Sequence, residues 1–132
     1  MTHPRTVLFV CLHGAAKSVL AAADFERLAR ERGLDALAES AGTEPDPEIA
    51  PRVLAELRAE GVDLRGRRPR RVTREDVERA WRVVAFACDL GELAAAGPQV
   101  EQWEVPAVGE DFGKARAAIH TRLVRLLDEL SP

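Results

Sequence analysis

Two kinds of apolar spacing alternate along this chain. Thr6-Val-Leu-Phe-Val-Cys11 is a short continuous apolar run rich in β-branched residues, the pattern of a strand covered on both faces in a parallel sheet. From Ser18 to about Arg32 the period changes. Ala21, Phe25, Leu28 and Ala29 recur at helical intervals, with Asp24, Glu26, Arg27 and Arg30 elsewhere, which predicts an amphipathic helix ended by Gly33. A second strand is expected over Leu37 to Ala41, followed by the turn-forming Gly42-Thr43-Glu44-Pro45-Asp46-Pro47. Pro51 suits the first position of a helix that carries Val53, Leu54 and Leu57 and stops at Gly61. Thr73-Arg-Glu-Asp76 has the form of a capping box opening a short helix toward Arg79.

Arg82 to Cys88 reads as another buried strand, Asp89 to Ala96 as a weakly helical segment closed by Gly97-Pro98, and Val100 to Val105 as a last, shorter strand. Phe112, Ala115, Ile119, Leu123, Leu126 and Leu130 share one face of a carboxy-terminal helix. Strands alternating with helices require crossover connections, so the pattern predicts an α/β fold, a parallel sheet with helices on both faces. No repeat, low-complexity tract or linker interrupts it, and residues 1–132 read as a single domain. In such open sheets ligands bind beyond the carboxyl ends of the strands, near the topological switch point. Cys11 stands at one of those ends.

Composition removes several alternatives. No apolar stretch approaches the roughly 20 residues of a membrane-spanning helix, and Met1-Thr2-His3-Pro4-Arg5 lacks the apolar core of a secretory signal. No membrane association and a cytoplasmic location are the expectation. Two cysteines, 11 and 88, are too sparse for the disulfide framework of a secreted mini-protein and read as free thiols. The histidines and cysteines show no zinc-like spacing, so no metal is expected. A net charge of −3 makes no overall case for nucleic-acid binding. One local run departs from that balance. Arg65-Gly-Arg-Arg-Pro-Arg-Arg71 is either a solvated loop or a patch for an acidic partner or a second anion.

Between the first strand and the first helix lies Cys11-Leu12-His13-Gly14-Ala15-Ala16-Lys17-Ser18. Small residues let the amides of Leu12, His13, Gly14, Ala15, Ala16 and Lys17 turn inward around an anion, and the helix adds free amides and the positive end of its dipole. The same field favours the thiolate, the nucleophilic form of cysteine. A cysteine ending a buried strand is commonly inert core, but here a small-residue turn, a cation and a hydroxyl follow it. Lys17 is either a solvated first-turn lysine or an anion ligand, and Ser18 a helix cap, a partner of the thiolate, or both. Gly14 supplies positive φ. His13 reads as a surface residue, a cation near the thiolate or a proton carrier.

On these residues the chain resembles the low-molecular-weight protein tyrosine phosphatases and the thioredoxin-coupled arsenate reductases, which share a Cys-x5-Arg-Ser loop after the first strand. The likeness extends through Ser40-Ala-Gly-Thr-Glu-Pro45, Gly61-Val-Asp-Leu64, Arg68-Pro-Arg-Arg71, Val83 to Asp89 and Trp103-Glu-Val-Pro106. It implies a flavodoxin-like three-layer sandwich with a four-stranded parallel sheet, Cys11 as nucleophile, and no cofactor beyond an external thiol reductant. Phosphate, arsenate or a phosphorylated substrate would be the ligand, and a thiol reductant protein a further partner.

The departures are specific. Lys17 stands where the family has arginine, and Gly14 where it has asparagine. Ala107 and Val108 match the Asp-Pro that supplies the phosphatase acid, which leaves Asp111 as a substitute. There is no tyrosine for an aromatic wall. Cys88 resembles the second cysteine of the arsenate reductases, while the third is matched by Gly97 of Gly97-Pro98. The expectation is a cysteine-thiolate oxyanion enzyme, with arsenate reductase-like chemistry slightly ahead of phosphatase chemistry. The alternative is a catalytically weak sensor of phosphate, arsenate or a phosphoprotein.

Overall fold

The computed structural model describes residues 4–131, so the reading of Met1, Thr2 and His3 lies outside the described residues. Strands β1 (Arg5–Cys11), β2 (Ala36–Gly42), β3 (Arg82–Ala85) and β4 (Val100–Gln102) form one parallel sheet in the order β2-β1-β3-β4. Helices α1 (Lys17–Glu31), α2 (Pro51–Ala59), α3 (Arg74–Arg79) and α4 (Phe112–Leu130) connect and cover it, with a 3₁₀ turn at Gly91–Ala96. The parallel α/β sheet expected from the apolar pattern forms, with the four strands that the family resemblance implies.

Each face of the sheet has its own core. Val7, Phe9 and Cys11 point toward α1, α2 and α4, where Phe25, Val53, Leu57, Ile119 and Leu123 are buried. Leu8 and Val10 point the other way, onto Val77 of α3 and Leu90. Alternate residues of β1 therefore supply both layers, which is why its sequence is a continuous apolar run rather than an alternating one. A buried carboxylate ties two helices across the larger core. Asp24 of α1, 2% exposed, receives two hydrogen bonds from Arg116 of α4, at 2.7 and 3.0 Å, and Arg116 also grips Glu60.

Several boundaries move from the sequence expectation. β3 ends at Ala85 rather than Cys88, because Ala87 adopts a left-handed φ of 52° that no strand can contain. β4 stops at Gln102, short of Val105. The helix after the nucleophile loop begins at Lys17, one residue early. Its cap is Ala16 without a side-chain bond, so Ser18 is not the cap. The Thr73–Asp76 capping box forms in full.

Sheet order places the topological switch between β1 and β3. The β1 crossover leads outward to β2, while β3 and β4 lie on the other side. Cys11 ends β1, and Cys88 follows the end of β3. The fold thus brings Cys11 and Cys88 to the carboxyl ends of adjacent strands.

Candidate active site

The loop from Cys11 to Ser18 is shaped by where its carbonyls go. The carbonyl oxygens of Cys11, Leu12, His13 and Ala15 accept hydrogen bonds from the amides of Thr43, Glu44, Asp46 and Ala50, at 3.3, 2.7, 3.0 and 2.9 Å. Among the described residues, no protein group accepts from the amides of residues 12–17. The segment after β2 pulls the carbonyls outward and leaves the donors free, the polarity an anion-binding concavity needs. Gly14 makes the turn at φ +59° and packs against Gly42 so closely that a Cβ there would sit 2.8 Å from the Gly42 nitrogen. Gly42 was not singled out from the sequence as part of the loop. The strand register that pairs it with Cys11 is what makes its lack of a side chain matter.

Cys11 is 7% exposed and its sulfur lies 3.0 Å from Ser18 Oγ, itself fully buried. As the second residue of α1, Ser18 faces back into the loop, where its hydroxyl can donate to a thiolate. Lys17, half-buried, donates from Nζ to the Val105 carbonyl at 3.2 Å. That bond links the start of α1 to the segment beyond β4. His13 turns outward, its Nδ1 3.3 Å from the Glu44 carbonyl and 3.2 Å from Asp46, at an exposed position. It contributes an amide to the loop but aims its ring away from the sulfur.

Cys88 is half-buried and its thiol donates to the Val10 carbonyl at 3.6 Å. Burial pushes its pKa up, and Cys11 and Asp89 push it further in the same direction, against a lowering hydrogen bond from the Phe86 backbone. The left-handed Ala87 turns the chain just before Cys88. A non-glycine residue there stores roughly 1–3 kcal/mol of backbone strain, and no sequence signal marked it.

The acid candidates fare differently. Asp111 is the N-cap of α4, its carboxylate accepting from the Lys114 amide at 3.0 Å. Val108 is buried in the core and Ala107 is exposed, so neither position matching the family's acid offers a proton. Gly97, at the position of the family's third cysteine, lies against the Val77 carbonyl, and a Cβ there would overlap it. Among the described residues, no cluster of three or more His, Cys, Asp or Glu side chains could hold a metal ion, and no helix is long and apolar enough to cross a membrane.

A buried cysteine at the carboxyl end of the central strand, above unpaired amides and a helix start, defines a thiol-based oxyanion protein of the α/β class. The chain belongs to the low molecular weight phosphotyrosine protein phosphatase family, whose model matches residues 6–102. It is 31% identical over 130 residues to a Halobacterium salinarum protein provisionally assigned as an arsenate reductase, covering 94% of this chain and 92% of that one. An arsenate reductase in its phosphate-binding state superposes with a TM-score of 0.79 at 19% identity, covering 96% of this chain and 99% of that one. A Corynebacterium glutamicum thioredoxin-dependent arsenate reductase gives 0.74 at 25% identity, over 98% of this chain and 62% of that one. The function is accordingly cysteine-based, of the phosphatase or arsenate reductase-like kind.

Proposed function

We propose that the chain reduces arsenate, with Cys11 as nucleophile and Cys88 as the second thiol. The oxyanion sits on the free amides of residues 12–17, next to Lys17 and Ser18. The Cys11 thiolate attacks arsenic and displaces one oxygen, which leaves as water after taking up protons. Cys88, deprotonated, then attacks the Cys11 sulfur. The sulfur–arsenic electron pair stays on arsenic, As(V) becomes As(III), arsenite leaves, and the two cysteines become a disulfide. An external dithiol, of the kind implied by the thioredoxin-dependent relative, returns two electrons and two protons.

The observation that carries this reading is the placement of a second thiol just after β3, its sulfur donating to the carbonyl of Val10, the residue before Cys11, at 3.6 Å.

The test is arsenite formation by the full chain supplied with arsenate and either dithiothreitol or thioredoxin, thioredoxin reductase and NADPH. Wild type turns over, Cys11→Ser forms no arsenite, and Cys88→Ala stops before the disulfide under thioredoxin. Turnover by Cys88→Ala equal to wild type with thioredoxin overturns the two-thiol relay. A second reading is favoured by the core-buried Val108 and the capping Asp111, which leave no aspartate for a leaving group. It is a sensor that binds phosphate or arsenate and turns over neither. Arsenate protection of Cys11 against alkylation, with no arsenite formed under either reductant, is its signature.

A further inference from the structure

A cleft of about 550 Å³ opens beside the outer edge of β2, between α1 and the segment 62–70. Small side chains at Ala22, Ala23, Ala38 and Ser40 leave its floor unfilled. β2 is an edge strand, so alternate residues turn their backbone groups away from β1. Ala38 and Gly42 are two of these. The Ala38 N–H donates to the Glu26 carboxylate at 2.8 Å. The Gly42 N–H donates to the Arg70 carbonyl and the Gly42 carbonyl accepts from Val72, at 2.8 and 2.9 Å. Ser40 lies between them in the same alternation, and among the described residues nothing bonds its outward N–H or C=O. An open donor and acceptor on one edge residue is what an added strand pairs with.

The charge at the rim gives the partner's chemistry. Arg65 is held in a bidentate pair by Asp63, Arg70 by Asp76 and Glu39, Arg79 by Glu39 and Asp76, and Arg71 by the Thr43 carbonyl. Arg67 and Arg68 also line the cleft and are exposed, and among the described residues their side chains have no partner. The Glu26 carboxylate, occupied by the Ala38 amide, is the one opposing charge in the cleft without an arginine partner among the described residues, so the balance is positive. Guanidinium groups suit carboxylates through paired hydrogen bonds.

We infer that this edge is a docking site for an extended acidic peptide segment of a partner protein, whose main chain pairs with Ser40 and whose carboxylates meet Arg67 and Arg68. The two features act together. Backbone pairing sets the register, and the arginines select acidic side chains at alternate positions. The cleft reaches Gly14 of the Cys11 loop, but Cys11 does not line it, and the docking does not depend on the chemistry proposed at that thiol.

The test uses the ¹⁵N-labelled full chain and the peptide acetyl-EVEVE-amide as probe. Binding shifts resonances at residues 38–42 and 67–68 and slows exchange of the Ser40 amide ten-fold or more. The double variant Arg67→Ala with Arg68→Ala weakens binding at least ten-fold, as does N-methylation of the peptide's glutamates. Undiminished binding of the N-methylated peptide, shifts centred on residues 12–17, or tighter binding of a single-stranded oligonucleotide at the same residues would each overturn the inference.

Discussion

Replacing Gly14 with alanine should destabilise the protein far more than a glycine of the same handedness elsewhere. Gly14 has φ +59°, where an L side chain costs roughly 1–2 kcal/mol. Its Cβ would also lie 2.8 Å from the Gly42 nitrogen and 3.0 Å from the Ala41 carbonyl carbon, backbone atoms that cannot swing aside. Overpacking of that kind adds about 1–3 kcal/mol. The sum, about 2–5 kcal/mol, is a large share of a domain's ordinary stability of about 5–15 kcal/mol. Gly33 is the control, with φ +68° and nothing near its absent Cβ, so Gly33→Ala should cost only the backbone part. Urea unfolding followed by tryptophan fluorescence measures both. Gly14→Asn should fall between them, since asparagine tolerates the left-handed region but still carries a Cβ. If Gly14→Ala and Gly33→Ala agree within about 0.5 kcal/mol, the limit of additivity for separate sites, the close approach to Gly42 does not shape the loop.

Other perturbations test other parts of the same structure. Ser18→Ala removes the hydroxyl 3.0 Å from the Cys11 sulfur; with hydrogen bonds to charged groups contributing about 1.5–3 kcal/mol, the neutral-pH alkylation rate of Cys11 should fall about ten-fold or more, and an unchanged rate contradicts the contact. Arg116→Ala strips Asp24 of its bidentate partner at a 2% exposed position and should cost about 3 kcal/mol, with part recovered in the double variant Arg116→Ala with Asp24→Ala. Acid should destabilise the fold in a defined window. Glu60 is held below its ordinary 4.5 chiefly by its hydrogen bond with Arg116, and Asp76 below 3.8 because Arg70 and Thr73 outweigh the opposing effect of burial. Carboxylates so depressed contribute stability that is complete above those ordinary values and is lost as pH falls through the lower folded ones. The urea midpoint should hold from neutrality to about pH 5 and then drop; a midpoint that rises on acidification refutes the sign.

What the sequence made legible was whatever rests on local pattern. Apolar runs located β1 and β3, helical spacing located α1 and α4, and Thr73 through Asp76 formed the capping box that their types imply. The limits came where distant backbone decides. Val83 to Cys88 is uniformly apolar, yet the strand ends three residues early because Ala87 takes a conformation that side-chain type does not encode. Ser18 has the chemistry of a cap but sits one residue inside the helix, facing the sulfur. Asp111, the candidate acid, is placed by its position before Phe112 to serve the α4 amides, a use as ordinary for aspartate as catalysis is rare. The arginine run looked uniform in sequence. Only the positions of Asp63, Asp76, Glu39 and Thr43 divide it into paired members and the two whose side chains have no partner among the described residues.

The departures from the family pattern bear unequally on the two reactions. Phosphate ester hydrolysis needs a proton for a departing alcohol, help worth roughly 10²- to 10⁴-fold, and the positions that would give it are Ala107 and the core residue Val108. It gains too from a guanidinium fork on the oxyanion. Lys17 offers a single ammonium, already bonded to the Val105 carbonyl, which can exchange that carbonyl for an anion oxygen but has no planar fork to make two parallel hydrogen bonds. The second step of arsenate reduction needs no departing alcohol to be protonated, because the leaving arsenic keeps the electron pair and the second nucleophile is a sulfur. That sulfur is retained, half-buried just after β3 and raised in pKa chiefly by burial. The missing acid thus bears on the ester path, the missing third thiol on the redox path and the change from arginine to lysine on both, while the second thiol needed for reduction is kept.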